Sequence, residues 1–149
     1  MSYPQEFDAA IIYTVVGSGG TAVRTVLCGI EDVSINEVAN TTDRFRTDCA
    51  KPGAIPTRSV RVNSTQWDVT GSGVTNATDV AARKSALGQH LNYEIDAIRY
   101  DGTDEGEVLG TFAGPGVLTS SNNNMQRQGD SGSEVTIAGE GELIWTPAA

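Results

Sequence analysis

Apolar and polar residues alternate with a period of two over much of this chain, the spacing of strands that bury one face. Ala9–Val16, rich in β-branched residues and stopped by Gly17-Ser18-Gly19-Gly20, reads as a first strand, with residues 21–28 as its hairpin return. Val33 and Ile35 alternate with Ser34 and Asn36 in another half-buried strand. Val60 and Val62 alternate with Ser59 and Arg61; after a short break, Trp67, Val69 and Gly71 alternate with Asp68, Thr70 and Ser72. These two runs predict a second hairpin with Trp67 and Val69 facing inward. Residues 92–100 set Tyr93, Ile95 and Ala97 against Glu94 and Asp96, and Asp101-Gly102-Thr103-Asp104 forms the turn that follows. Residues 107–112, 116–120 and 135–145 complete the sheet, with 121–133 as a polar loop.

One helix is expected, at 78–88. Thr78 is placed to cap it, Asp79 complements the positive end of its dipole, and Gly88 is placed to end it. Its apolar stripe of Val80, Leu87 and Leu91 is thin, which predicts a helix lying on a surface. Residues 39–56 are polar and broken by Pro52, Gly53 and Pro56, and predict a long loop excursion of the kind that usually has a function. Strands, one helix, then strands, without regular βαβ alternation, predict a mainly β fold: a sandwich or barrel with one flanking α-helix, in a single domain over 1–149.

The 149 residues suffice for one real core. The longest apolar run, Ala9–Val16, is interrupted by Tyr13 and Thr14 and is too short to cross a bilayer, so no membrane partner is expected. The N-terminus lacks the basic and apolar regions of a secretory signal, which points to synthesis and retention in the cytoplasm. Nineteen acids face ten bases, a net charge of −9. The excess is local: residues 1–75 carry eight acids and six bases, and 76–149 carry eleven acids and four bases. Such a surface does not grip phosphates, although it suits a wall that DNA must pass without sticking. Solubility alone would explain it equally well.

Cys28 and Cys49 lie 21 residues apart without C-x-x-C spacing or neighbouring histidines, so no zinc site is expected. Cys28, in the apolar run Val26-Leu27-Cys28-Gly29-Ile30, reads as a small packed hydrophobe, and Cys49 as an exposed loop residue. A disulfide, within or between subunits, stays open.

Gly129-Asp130-Ser131-Gly132 matches the tetrapeptide around a serine-protease nucleophile. That chemistry needs a histidine and an orienting carboxylate, and the sole histidine, His90, stands in an unrelated context just past the helix. A turn before the last strand is the better reading. Gly17-Ser18-Gly19-Gly20-Thr21-Ala22 loosely fits a dinucleotide fingerprint, but β-branched sequence follows where a helix would have to start. The sequons at Asn40, Asn63 and Asn76 carry little weight without a secretion signal, and Glu140 and Glu142 read as a solvated strand face. Neither a catalytic centre nor a cofactor or metal site is expected.

Several segments together resemble the tail tube (major tail) proteins of tailed phages and related gene transfer agents. They are Gln66-Trp67-Asp68-Val69-Thr70-Gly71-Ser72-Gly73, the following helix, residues 92–100, the strand–Gly–strand passage from Gly110-Thr111-Phe112-Ala113-Gly114-Pro115-Gly116 to Ser120, and the closing 135–145. The resemblance covers about residues 58–146 and lies in element order and turn chemistry. It implies a non-enzymatic structural protein of the virion tail, whose subunits form hexameric rings with sheets joined between subunits, stacked into a tube that conducts DNA without binding it. The partners implied are further copies of the chain, tail terminator, baseplate or initiator proteins, and a sheath where one exists. Asp68, Glu94 and Asp96 become lumen-facing candidates because they oppose apolar residues on their strands. The excursion at 39–56 becomes the ring-stacking loop, with Arg44, Arg46 and Lys51 available to an acidic neighbour. Cys28 and Cys49 become candidates for a link between subunits or to a sheath. Two other readings remain: the inner tube of a non-phage contractile injection device, and a small β-sandwich ligand- or carbohydrate-binding module. The second needs an exposed aromatic platform, against which stand an aromatic content of 6% and two tryptophans expected to point inward.

Overall fold

The computed structural model describes residues 5–17, 20 and 22–148. Its strands are β1 (Ala9–Val16), β2 (Val23–Val26), β3 (Ile30–Arg46), β4 (Thr57–Val74), β5 (His90–Arg99), β6 (Glu107–Asn124), β7 (Gly132–Gly139) and β8 (Ile144–Pro147), with a single turn of 3₁₀ helix at Ala77–Asp79 running into α1 (Val80–Ala86). All belong to one sheet in the order β2-β1-β5-β6-β7-β4-β3, with β8 paired to β6 off this path. The mainly β fold with one short helix is as expected. Ser18, Gly19 and Thr21, in the first expected turn, lie outside the described residues.

The chain divides into two compact units, residues 1–36 with 67–149, called the body below, and residues 37–66, called the hairpin. In the body the sheet curls over its own apolar side. β1 and β4 are separated by three strands in the sheet order, yet a Cβ added at Gly71 of β4 would lie 3.4 Å from Ile12 Cδ1 of β1. Ile12, Leu27, Ile30, Trp67, Val69, Tyr93, Ile95, Leu118, Val135 and Ile137 therefore form one cluster. The inward alternation of Trp67 with Val69, and of Tyr93, Ile95 and Ala97, is as the sequence predicts.

Trp67 explains the glycines of the strands beside it. Gly116 and Gly139 are register partners on β6 and β7. A Cβ at Gly139 would stand 2.1 Å from the Trp67 ring, and one at Gly114 2.8 Å from it. These positions form a slot in which the indole lies directly on backbone. Glycine is required there for close approach, and the strand propensity lost is returned by burying a large aromatic.

Six expectations are revised. Residues 39–56 are not a loop throughout: β3 runs unbroken to Arg46, and only 47–56 turn before β4 begins at Thr57. β4 has no break near residue 64, so the second hairpin is β3–β4 and not two halves of 58–72. Polar strands of this kind escape a pattern search because neither face is buried. β6 is one strand across Gly114 and extends to Asn124, while the expected closing strand is two, β7 and β8, parted at Gly141 with φ of 63°. Thr78 does not cap the helix: α1 starts from Asp79 without a side-chain cap, and Asn76 caps the 3₁₀ turn before it, its side chain accepting from the Thr78 amide. Finally, the helix buries Arg83 and Ala86 and exposes Leu87. Leu87 closes the helix by donating to the Arg83 carbonyl, and Gly88 follows with φ of 78°.

Arg83 is only 3% exposed. Its guanidinium donates to Ser133 Oγ, to Asn123 Oδ1 at 3.3 Å and to the Glu134 carbonyl at 3.3 Å, while Nε has no partner among the described residues. Burial lowers its pKa, and the charge of Asp79 offsets part of that. The arginine ties helix to sheet through neutral acceptors.

Candidate assembly surfaces

Paired residues on neighbouring strands project to the same side of a sheet. The register runs from Glu94 to Ala113 and from Asn92 to Pro115 across β5 and β6, from Val117 to Ala138 across β6 and β7, and from Ala138 to Asp68 across β7 and β4. Asp68, Glu94 and Asp96 thus all lie on the side of the sheet opposite the core. Their environments differ. Asp96 is 6% exposed, covered by Arg24, which donates to it at 2.9 Å while Thr111 donates at 2.8 Å. Arg24 also meets Glu94 at 2.7 Å and lies 3.9 Å over the Tyr13 ring. Burial works against the Arg24 charge, but the hydrogen bond and charge of Asp96 together with Glu94 raise its pKa above the ordinary value. Sequence reading placed the two carboxylates on this face but missed Arg24, which comes from a separate strand and neutralises much of their charge. Asp68 is half-buried, with no base within ion-pairing distance among the described residues.

The hairpin is a different kind of object. Residues 39–66 are exposed throughout. Its internal ties are polar: Asn40 donates to Ser64 Oγ at 3.0 Å and to Gln66 Oε1 at 3.3 Å, Asn63 donates to Thr42 Oγ1, and Arg58 faces Asp43 at 3.9 Å. Arg44, Arg46 and Lys51 are exposed and make no ion pair among the described residues. Phe45 is 67% and Ile55 88% exposed. Counted over 37–66, five bases (Arg44, Arg46, Lys51, Arg58, Arg61) face three acids (Glu37, Asp43, Asp48), a net of +2. The rest of the chain then holds five bases and sixteen acids, a net of −11.

The sheet path ends at β2 and β3, whose outer edges have no strand partner among the described residues. Val16, Val23 and Val26 are exposed near the first of these edges. A groove of about 410 Å³ opens in the body, with Ala10, Ile95, Ala97 and Phe112 at its apolar floor, Val33 and Ile35 along one wall, and Asp8, Glu31 and Asp32 on its lining. Beside it Trp145, 39% exposed and not inward as expected, stacks on Phe112 at 4.5 Å and approaches Phe7 at 5.9 Å. Its ring lies over Gly110, where a Cβ would come within 2.2 Å.

Cys28 and Cys49 are free thiols, and both are exposed. Cys28 is therefore not the packed hydrophobe expected; Leu27 beside it takes the core position. His90 begins β5, and its Nδ1 lies 2.7 Å from Glu140. Ser131 precedes β7, its carbonyl accepting from the Thr75 amide, as a turn residue would. Glu140 and Glu142 stand in the turn between β7 and β8 rather than along a strand. No group of three or more His, Cys, Asp or Glu is placed to hold a metal among the described residues. No helix among them is long and apolar enough to cross a membrane.

No protein-family model and no curated protein sequence matches the chain. Solved structures do match, over nearly its full length. A chain of the virion of a native gene transfer agent superposes with a TM-score of 0.66 at 20% identity, covering 96% of this chain and 99% of that one. A chain of the sheath–tube complex of PVC, an extracellular contractile injection system, in its extended state gives 0.64 at 13% identity, covering 98% and 93%. The SPP1 tail tube gives 0.60 at 10% identity, covering 97% and 80%. The chain therefore has the fold of tail-tube structures from virions and injection systems.

Proposed function

We propose that the protein is a non-enzymatic structural subunit of a phage-type tail tube, assembling into stacked hexameric rings whose acidic lumen conducts DNA. The observation that carries this reading is the likeness to tail and tube structures over nearly the whole length of the chain. One of the similar structures is the tail of an empty gene transfer agent particle with C6 symmetry. The exposed edges of β2 and β3 fit a ring in which sheets continue from one copy to the next, because joining pairs backbone groups that are otherwise left at a sheet edge. A head-to-tail contact between rings then extends without closing, as a tube requires. The hairpin is the ring-stacking element, presenting Arg44, Arg46 and Lys51 to an acidic neighbour. Asp68 is the stronger lumen candidate; Glu94 and Asp96 share Arg24, which offsets much of their charge. A body of −11 repels phosphates, so DNA slides past it without being held.

The natural location is the virion tail, after assembly in the host cytoplasm, with terminator, baseplate or sheath proteins as further partners. Exposed Cys28 and Cys49 fit a link between subunits in the finished particle, and non-reducing gels of intact particles showing monomer alone would exclude it. The second reading, a tube of a non-phage contractile injection device, is favoured by the PVC superposition, which is as good as that to the gene transfer agent. Negative-stain electron microscopy over a concentration series, with and without a tail initiator, tests the proposal. Hollow tubes or stacked hexameric rings are expected. Single domains under every condition would remove it.

A further inference from the structure

The groove in the body and the tip of the hairpin have complementary chemistry. The groove offers an apolar floor of Ala10, Ile95, Ala97 and Phe112 beside the carboxylates of Asp8, Glu31 and Asp32. Asp8 accepts from the Tyr100 amide at 2.9 Å, whereas Glu31 and Asp32 have no base within ion-pairing distance among the described residues. The hairpin tip offers the opposite set: Phe45 and Ile55 are largely exposed, and Arg44, Arg46 and Lys51 make no ion pair among the described residues.

From this complementarity we infer that the groove is the receptor for the hairpin tip of a second copy, with Ile55 as the apolar plug and Lys51 and Arg46 meeting Asp32 and Glu31. The inference deepens the stacking role given to the hairpin and rests on it. A hairpin arm of ten residues, Glu37 to Arg46, is about 33 Å long at the usual strand rise. Such an exposed, apolar-tipped ribbon with no core has little reason to persist unless something covers it. A net of +2 on the hairpin against −11 on the rest of the chain makes another copy the matching partner. The contact is heterologous, groove to tip, so it propagates from ring to ring.

The test is a charge-swap cycle on the full-length protein, read by sedimentation and electron microscopy of tubes. Asp32→Lys and Lys51→Glu alter exposed side chains, and circular dichroism of the unassembled protein checks that each is folded. Each single change should raise the protein concentration needed for tubes by about tenfold, and the double variant should recover most of that loss. Ile55→Asp should abolish tubes without rescue by either charge change. As a second measurement, Asp32→Cys and Ile55→Cys proteins, both also carrying Cys28→Ser and Cys49→Ser, are mixed and oxidised; a disulfide-linked heterodimer is expected. If tubes form but the swap gives no rescue and no cross-link appears, the groove has another occupant, and the inference falls while the tube reading stands. If the unmodified protein forms neither tubes nor rings under any condition, both fall together.

Discussion

The hairpin and the body use the same backbone arrangement under opposite compositions. Over residues 37–66, bases outnumber acids five to three and residues 39–66 are exposed throughout. In the rest of the chain acids outnumber bases sixteen to five, and a cluster from Ile12 to Ile137 is sealed from water. The body is held by burial, which is non-directional and cooperative. The hairpin is held by strand pairing and a few polar contacts, and an isolated two-stranded ribbon is marginal on that basis. Changes in the core of the body should thus register as stability, and changes in the hairpin as assembly.

The sharpest way to break this division is at Trp67. Trp67→Ala empties the slot over Gly114 and Gly139 and should destabilise the monomer by about 3–5 kcal/mol, measured by denaturant unfolding. Loss of less than about 1 kcal/mol would mean the slot is not the centre of the core. Gly139→Ala approaches the same contact from the other side. Its Cβ would stand 2.1 Å from the indole, and because the ring cannot yield without moving off the strand, a cost of about 1–3 kcal/mol is expected in the same assay.

Tyr93 gives a smaller effect with a pH signature. Its ring is 2% exposed and its hydroxyl has no hydrogen-bond partner among the described residues, and burial raises its pKa above 10.0. A raised folded pKa means that the unfolded chain loses this proton first. The contribution to stability is therefore intact below about pH 10 and lost as pH rises through the higher folded value. Tyr93→Phe should be neutral or stabilising by up to about 1 kcal/mol at pH 7, since it removes an unsatisfied polar atom. It should also flatten the fall in stability above pH 10, followed by thermal unfolding across pH. A large loss at pH 7 would show that the hydroxyl has a partner.

At the hairpin the ordering reverses. Ile55→Ser changes an exposed residue and should shift unfolding stability by less than about 0.5 kcal/mol, while removing tubes in electron micrographs. Destabilisation above about 1 kcal/mol would erase the distinction between the two regions.

Strand alternation set out in the sequence was read correctly wherever one face is buried. Trp67 with Val69 and Tyr93 with Ile95 fall inside because period-two patterning is the direct imprint of a one-sided core. The helix was legible, though not its cap, and so was the acidic excess of the chain. Where both faces of a strand are wet, as in β3 beyond Asn36, burial leaves no pattern, and the prolines and glycine at 52–56 made a hairpin look like a loop. Cap choice between Asn76 and Thr78, the inward turn of Arg83, and the exposure of Cys28 and Trp145 depend on which neighbours arrive. Arg24 over Glu94 and Asp96 is the clearest case, because its partners lie about seventy residues away and meet it only through β1. Sequence by itself determined which residues a sheet would bury. Tertiary structure decided which charges meet, because pairing distant strands brings together side chains that no local spacing relates.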